Sequence, residues 1–174
     1  VIDGHAPVEG KVQVIARSKI TIGAAAGGIN SNVTDLLKWV QALLAHGKYG
    51  EGQSKRLFSE AVAQELWTPQ TIIPVRAPGP YNTHFSAYGL GFGLSDVNGY
   101  KQVSHTGGLE GMVTQITLLP ELNLGIIVLT NQQEGSAFTS ITNQIKDAYF
   151  GKTGTDWIAD LAKRRNQALA EAKA

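Results

Sequence analysis

The sequence contains no cysteine. That excludes disulfide bridges, thiolate zinc sites and a cysteine nucleophile within these residues. It fits an extracytoplasmic protein that needs no bridges, and a cytosolic location stays open. There is no run of about 18 apolar residues, so no segment reads as a membrane span. Charge of one sign is not in excess either. Fifteen Lys and Arg stand against 14 Asp and Glu, for a formal net charge of +1. A nucleic-acid partner would need a basic face. The one basic cluster, Lys163-Arg164-Arg165, sits in a helical pattern where a solvated face accounts for it. No signal peptide is visible. The chain opens Val-Ile-Asp-Gly without an initiator Met and reads as a piece that starts inside a longer protein. Internal repeats and low-complexity blocks are missing. His5, His46 and His84 share no ligand spacing with each other or with His105, so no metal is expected.

What is present is 174 residues, room for one domain with a sizeable core. Val12, Val14 and Ile15 suggest one short strand, and Gly23 to Gly28 a flexible turn of small residues. Val33, Leu36, Leu37, Val40, Leu43 and Leu44 repeat at helical spacing. Ser31 or Asn32 can cap that helix, Asp35 suits its first turn, and Gly47 suits a left-handed stop. A shorter helix is predicted from Ser59 to Trp67. The segment 69 to 87, with Pro69, Pro74, Pro78 and Pro80, reads as one long loop.

From Tyr88 the period changes to two. Tyr88, Leu90, Phe92 and Leu94 would point to one face of a strand and Gly89, Gly91 and Gly93 to the other. Asn98-Gly99 is a two-residue hairpin signal, so a strand from Tyr100 to His105 should pair with it. Met112 to Leu119 forms a third strand, Pro120 to Asn123 a turn, and Leu124 to Leu129 a central strand buried on both faces. Two helices close the chain. In the first, Phe138, Ile141, Ile145 and Ala148 share a face and Gly151 follows. In the second, Thr155 caps a segment whose Trp157, Ile158 and Leu161 can pack inward, and the alanine-rich tail from Gln167 frays. The order implies an α+β fold: an antiparallel sheet of about four strands flanked by helices.

Val103-Ser104-His105-Thr106-Gly107-Gly108-Leu109-Glu110-Gly111 carries the chemistry. A strand ending in His-Thr-Gly can offer backbone N–H groups to a developing oxyanion and a hydroxyl to a substrate. The bare Gly107 would let a substrate lie against the strand. A Gly-rich β-turn explains the same residues without any function. Glu110 could reach the mouth of such a site, although a solvated turn residue is the plainer reading. Tyr81 and Tyr88 flank the Pro-rich loop, where they would line a cleft or simply pack. Trp39, Trp67 and Trp157 lie in helical patterns and read as packing residues.

The order of these motifs resembles the serine β-lactamase and penicillin-binding-protein-like family, in particular class C β-lactamases and their esterase and D-aminopeptidase relatives. Gly27-Gly28-Ile29-Asn30-Ser31-Asn32-Val33-Thr34-Asp35-Leu36 is similar to the segment opening that family's last large helix. Tyr88-Gly89-Leu90-Gly91-Phe92 resembles the strand that comes next. His105-Thr106-Gly107 matches the Lys-Thr-Gly position in its His form, followed by Thr117-Leu118-Leu119-Pro120 and Val128-Leu129-Thr130-Asn131. The resemblance covers roughly residues 23 to 150, with 1–22 an opening segment and 151–174 a C-terminal helix. Lys152-Thr153-Gly154 spells Lys-Thr-Gly literally, but it follows a helix and reads as a loop.

The resemblance implies the distal half of a β-lactamase and transpeptidase-like fold, and acyl transfer through a serine ester with no cofactor. No serine here has a lysine three residues on, and no tyrosine has Asn or Ser two residues on. The nucleophile and its base are therefore expected in an N-terminal half, which becomes a partner of this chain, and the chain alone is expected to be inactive. By resemblance, His105 and the Gly108 N–H serve catalysis, while Thr106, Gly107 and Tyr88 contact an amide or ester substrate, small or peptidic. A His in place of Lys is only partly charged at neutral pH, which favours esterase or peptidase relatives. A periplasmic or secreted location and self-association are further expectations. The rival reading is a non-catalytic binding or regulatory module of the same half-fold.

Overall fold

The computed structural model describes residues 2–17 and 22–171. Val1, residues 18–21 of the opening segment and the last three residues lie outside this description. In chain order the elements begin with β1 (His5–Val8), β2 (Lys11–Val14), α1 (Ala24–Gly27), α2 (Val33–Leu44), β3 (Lys48–Tyr49), β4 (Lys55–Arg56) and α3 (Glu60–Leu66). They continue with β5 (Thr71–Ile72), β6 (Ser86–Tyr88), β7 (Gly93–Val97), β8 (Tyr100–Leu109), β9 (Met112–Leu119), β10 (Leu124–Thr130), α4 (Gly135–Phe150) and α5 (Trp157–Glu171). Six of the strands form one sheet in the order β10-β9-β8-β7-β6-β5, so neighbours in the sheet are neighbours in the chain. Among the described residues no helix is long and apolar enough to cross a membrane.

Two compact units divide the chain. One comprises 30–106 and 115–127. Its helix α2 starts where the cap signal placed it, with the Asn32 side chain accepting the Asp35 N–H. Beyond the Ala45 cap, His46 rather than Gly47 takes the first left-handed position, at φ 51°. The His46 and Gly47 N–H groups then bond the Leu43 and Ala42 carbonyls, a Schellman closure. The apolar side of α2 packs Val40 and Leu43 against Trp67, Ala87, Leu94, Val103 and Leu118. That cluster is the core of the unit.

Several strand expectations change here. The predicted strand Tyr88 to Leu94 is broken. Residues 89–92 form a turn in which the Gly89 N–H bonds the Phe92 carbonyl, with Gly91 at φ 82°. Strand β7 therefore starts at Gly93, and β8 pairs with Gly93–Val97 rather than Tyr88–Leu94. The glycines that looked like a stripe on a strand supply a tight reversal instead. The Asn98-Gly99 hairpin forms as read, both residues at positive φ and Val97 opposite Tyr100. Segment 69–87 is not one loop, because it holds β5 and the start of β6. Its remainder is pinned down. The Asp96 carboxylate accepts the Phe85 and His84 N–H groups, and these bonds hold its pKa below the usual value. The buried Tyr81 carbonyl accepts the Asn98 N–H, so Tyr81 packs.

The other unit comprises 1–29, 107–114 and 128–174. Here β1 and β2 form a hairpin, where one strand was expected. Gly23 to Gly28 holds one helical turn, α1, rather than a plain turn. On α4 the covered side is the polar one. Ser140, Thr142, Asn143, Lys146 and Asp147 are buried, whereas Ile141 is 47% exposed. The reason is α5: the Ser140 hydroxyl bonds the Ser136 and Trp157 carbonyls, and Asp147 receives the Trp157 indole. Asp156, not Thr155, caps α5, its carboxylate accepting the Ala159 N–H. Trp157 packs inward as expected but Ile158 faces solvent, and the helix extends to Glu171. Lys152-Thr153-Gly154 lies in the loop between the two helices, as expected.

Strand β10 occupies one edge of the sheet, not its centre. Its apolar run is covered on both faces as far as Val128, and Leu129 is exposed. Leu124, Ile126 and Val128 are buried on one side. On the other, Gly125 lies so close to Val40 that a Cβ would collide with the Val40 Cγ1.

Candidate active site

The singled-out residues lie on β8. Its register, Leu94 opposite Val103 and Gly93 opposite Ser104, fixes which way each points. Val103, His105 and Gly107 share one face, and Ser104, Thr106 and Gly108 the other. Val103 is fully covered (0% exposed) by the core, yet His105 and Thr106 are both exposed. The strand thus leaves its cover just before the His-Thr pair.

Tyr88 ends β6, two strands away. The ladder aligns it with Gly93, and Gly93 with Ser104. That register puts Tyr88 on the Ser104 face, yet β7 stops at Gly93, and the Tyr88 ring centre lies 6.4 Å from that of His105 in an edge-on arrangement. An aromatic pair across a sheet also has an ordinary packing value. Both rings remain solvent-accessible.

The glycines divide their roles. A Cβ on Gly107 would meet the Thr114 hydroxyl at 2.6 Å, so the space beside Gly107 is already taken by β9. A Cβ on Gly108 would meet nothing within 4 Å. The open position on the strand is Gly108. It borders a concavity of about 330 Å³ lined also by Leu109, Glu110, Val113 and Gln133. Glu110-Gly111 makes the β8–β9 turn, with Gly111 at φ 72°. The Gly111 N–H donates to Gln133 Oε1 at 3.4 Å. The His5 N–H donates to the Gly111 and Asn131 carbonyls at 2.9 Å each, and the Gln133 N–H donates to the His5 carbonyl at 2.9 Å. The start of β1 therefore ties this turn to the end of β10.

Sequence reasoning missed Thr114, Val113, Gln133 and the tying role of His5. Position 133 carries no motif, and only the fold brings it to Gly108. No group of three or more His, Asp or Glu residues that could share a metal ion occurs among the described residues.

The family model described as Beta-lactamase matches residues 2–149. The chain is 26% identical over 158 residues to the unguisins hydrolase ungD' of Aspergillus campestris, covering 86% of this chain and 28% of that protein. It is 29% identical over 121 residues to the unguisins hydrolase ungD of Aspergillus violaceofuscus, covering 66% and 21%. The octameric penicillin-binding protein homologue from Pyrococcus abyssi shares the fold, with a TM-score of 0.67 at 22% identity over 87% of this chain and 31% of that one. The chain thus spans less than a third of the relatives it matches. With the match running through both the helical segment and the His-Thr-Gly strand, this chain belongs to the Beta-lactamase family, a family of hydrolases.

Proposed function

We propose that this chain forms one wall of the active site of a serine hydrolase that cleaves amide or ester bonds through an acyl-enzyme. The observation that carries the reading is the exposed His105-Thr106 pair, followed by Gly107-Gly108, on β8 of a Beta-lactamase-family chain. The naming of both fungal relatives as hydrolases supports the reaction class.

In this mechanism a serine outside these residues attacks the substrate carbonyl. The Gly108 N–H is one donor to the resulting oxyanion, and the serine's own N–H is the other. Preorganised donors of this kind are worth about 10²–10³ in rate each. His105 orients the substrate or tunes the base that takes the serine proton, and the Thr106 hydroxyl contacts the substrate. The amine or alcohol leaves, and water then hydrolyses the serine ester. The partner supplying nucleophile and base is the N-terminal part of the same fold. The octameric relative supports self-association as a property of the whole protein.

The test compares the chain alone with the longer protein containing it. A fluorophosphonate probe should label one serine of the longer protein, upstream of Val1, and none in this chain. Labelling of a serine within these residues at the rate of a true serine enzyme overturns the assignment of roles. No labelling and no ester or amide turnover in the longer protein overturns the hydrolase reading and leaves a binding module.

A further inference from the structure

We infer that Gly4 and His5, in the opening segment, are positioning residues for catalysis: they clamp the β8–β9 turn and so fix the direction of the Gly108 N–H. The inference rests on the hydrolase reading above, in which that N–H meets the oxyanion.

Strand geometry decides where the Gly108 N–H points. Leu109 and Met112 flank a two-residue turn, Glu110-Gly111. Residues flanking such a turn bond each other, so the Leu109 N–H faces β9. Amides alternate along a strand, and the Gly108 N–H therefore faces away from β9. On that side β7 pairs with β8 no further than Ser104. Gly108 thus has strand support on one side only, and it has no side chain to brace it. Its orientation is inherited from the turn that follows.

Gly4 closes directly on this turn. It is buried, and a Cβ there would stand 2.6 Å from the Glu110 carbonyl oxygen. A Cβ on Gly111 would stand 2.5 Å from the Gly4 carbonyl carbon and 2.5 Å from the His5 nitrogen. Two backbones touch here, which glycine at both positions permits. His5 fastens the contact. Its N–H donates to the Gly111 and Asn131 carbonyls, and its carbonyl accepts the Gln133 N–H. Its ring Nδ1 lies 3.0 Å from the Asn131 carbonyl oxygen. Both polar backbone groups of Gly111 are then held, the carbonyl by His5 and the N–H by Gln133 Oε1. The turn cannot tilt without breaking these bonds. Rate is sensitive to such a tilt, since a misplacement of about 1 Å can cost about 10²-fold.

The experiment uses the longer protein, p-nitrophenyl butyrate as substrate and phenylboronic acid as inhibitor. The boronate adduct of the serine puts a hydroxyl where the oxyanion forms, so its affinity reports the Gly108 N–H. Gly4→Ala must displace the turn, because the new methyl meets a backbone carbonyl. Acylation and deacylation both pass through the oxyanion. In Gly4→Ala, kcat and kcat/KM should each fall about tenfold with KM unchanged, and the boronate should bind about tenfold more weakly. His5→Ala keeps the backbone bonds and loses only the ring, so both readouts should fall about threefold. His5→Asn, whose carboxamide nitrogen can take the place of Nδ1, should recover most of that loss. A lowered melting temperature with kinetics and boronate affinity unchanged makes the clamp merely structural and overturns the inference. Should Gly4→Ala fail to fold, the two His5 variants decide by the same readouts. Wild-type turnover with indifferent variants removes the clamp and leaves the hydrolase reading standing. No turnover and no fluorophosphonate labelling in the wild type remove both.

Discussion

The Trp157 indole N–H donates to Asp147 Oδ2 at 2.6 Å, and both residues are buried. This bond joins the last turn of α4 to the first turn of α5. Trp157→Phe keeps most of the ring and removes the donor. A hydrogen bond to a charged group contributes about 1.5–3 kcal/mol, so unfolding free energy should fall by about that amount. Urea denaturation followed by circular dichroism measures it. A loss below a few tenths would show that water replaces the indole.

Gly125→Ala probes a close approach of a strand to a helix. The added methyl would collide with Val40, a stiff β-branched side chain buried in the core. Overpacking of this kind costs about 1–3 kcal/mol. Val40→Ala in the same molecule should recover part of the loss, because the two changes share one space. A double-mutant cycle on thermal or urea stability reads the coupling. Additive effects would mean that the backbone has moved instead.

Lys146 predicts a pH dependence. Burial pulls its ammonium down from 10.5 to about 8, and the neighbouring Asp147 opposes that shift only in part. The folded state therefore disfavours the charged form. Below about pH 8 both folded and unfolded chains carry the proton, and the cost of burying the charge is present in full. Between about 8 and 10.5 the unfolded chain binds more protons than the folded one, so this group's contribution to stability rises with pH. Lys146→Met should remove that rise. The difference between wild type and variant in urea midpoints, taken at pH 7, 8, 9 and 10, isolates it. A flat difference across the series would contradict the shift.

His105→Ala in the longer protein should slow acylation while leaving the fold intact. Stopped-flow release of p-nitrophenol gives the acylation rate, and far-ultraviolet circular dichroism checks the fold. His105 is exposed, so its truncation opens no core cavity. An unchanged acylation rate would remove His105 from the proposed mechanism.

Much of the architecture was legible where one local signal dominates. Asn32, one of the two caps offered for α2, takes that place, and Asn98-Gly99 reverses the sheet, because each acts within a few residues. The misreadings share a cause. Tyr88 to Leu94 alternates like a strand, but its glycines permit a turn that side-chain period cannot reveal. Leu124 to Leu129 looks central because apolar runs report coverage, and coverage says nothing about strand order. On α4 the apolar stripe through Ile141 and Ile145 competes with a polar side that finds hydrogen-bond partners on α5, and partners are invisible in a hydrophobic pattern. In the candidate site, His105, Thr106, Gly107 and Gly108 are adjacent in the sequence, whereas Thr114 and Gln133 come beside Gly107 and Gly108 only through the fold.

The sheet's strand order equals its chain order from β5 to β10, so every ladder closes between successive segments. The opening segment breaks this locality: His5 bridges Gln132, just beyond β10, and its N–H bonds the Gly111 and Asn131 carbonyls. On a ribosome the hairpins from β5 onward can zip as they emerge, since short loops close at little entropic cost. The β1–β2 hairpin also closes locally, but His5 cannot meet Asn131, 126 positions further on, until that residue has left the exit tunnel. The β8–β9 turn that carries Glu110 is thus fully anchored only once the segment after β10 has emerged.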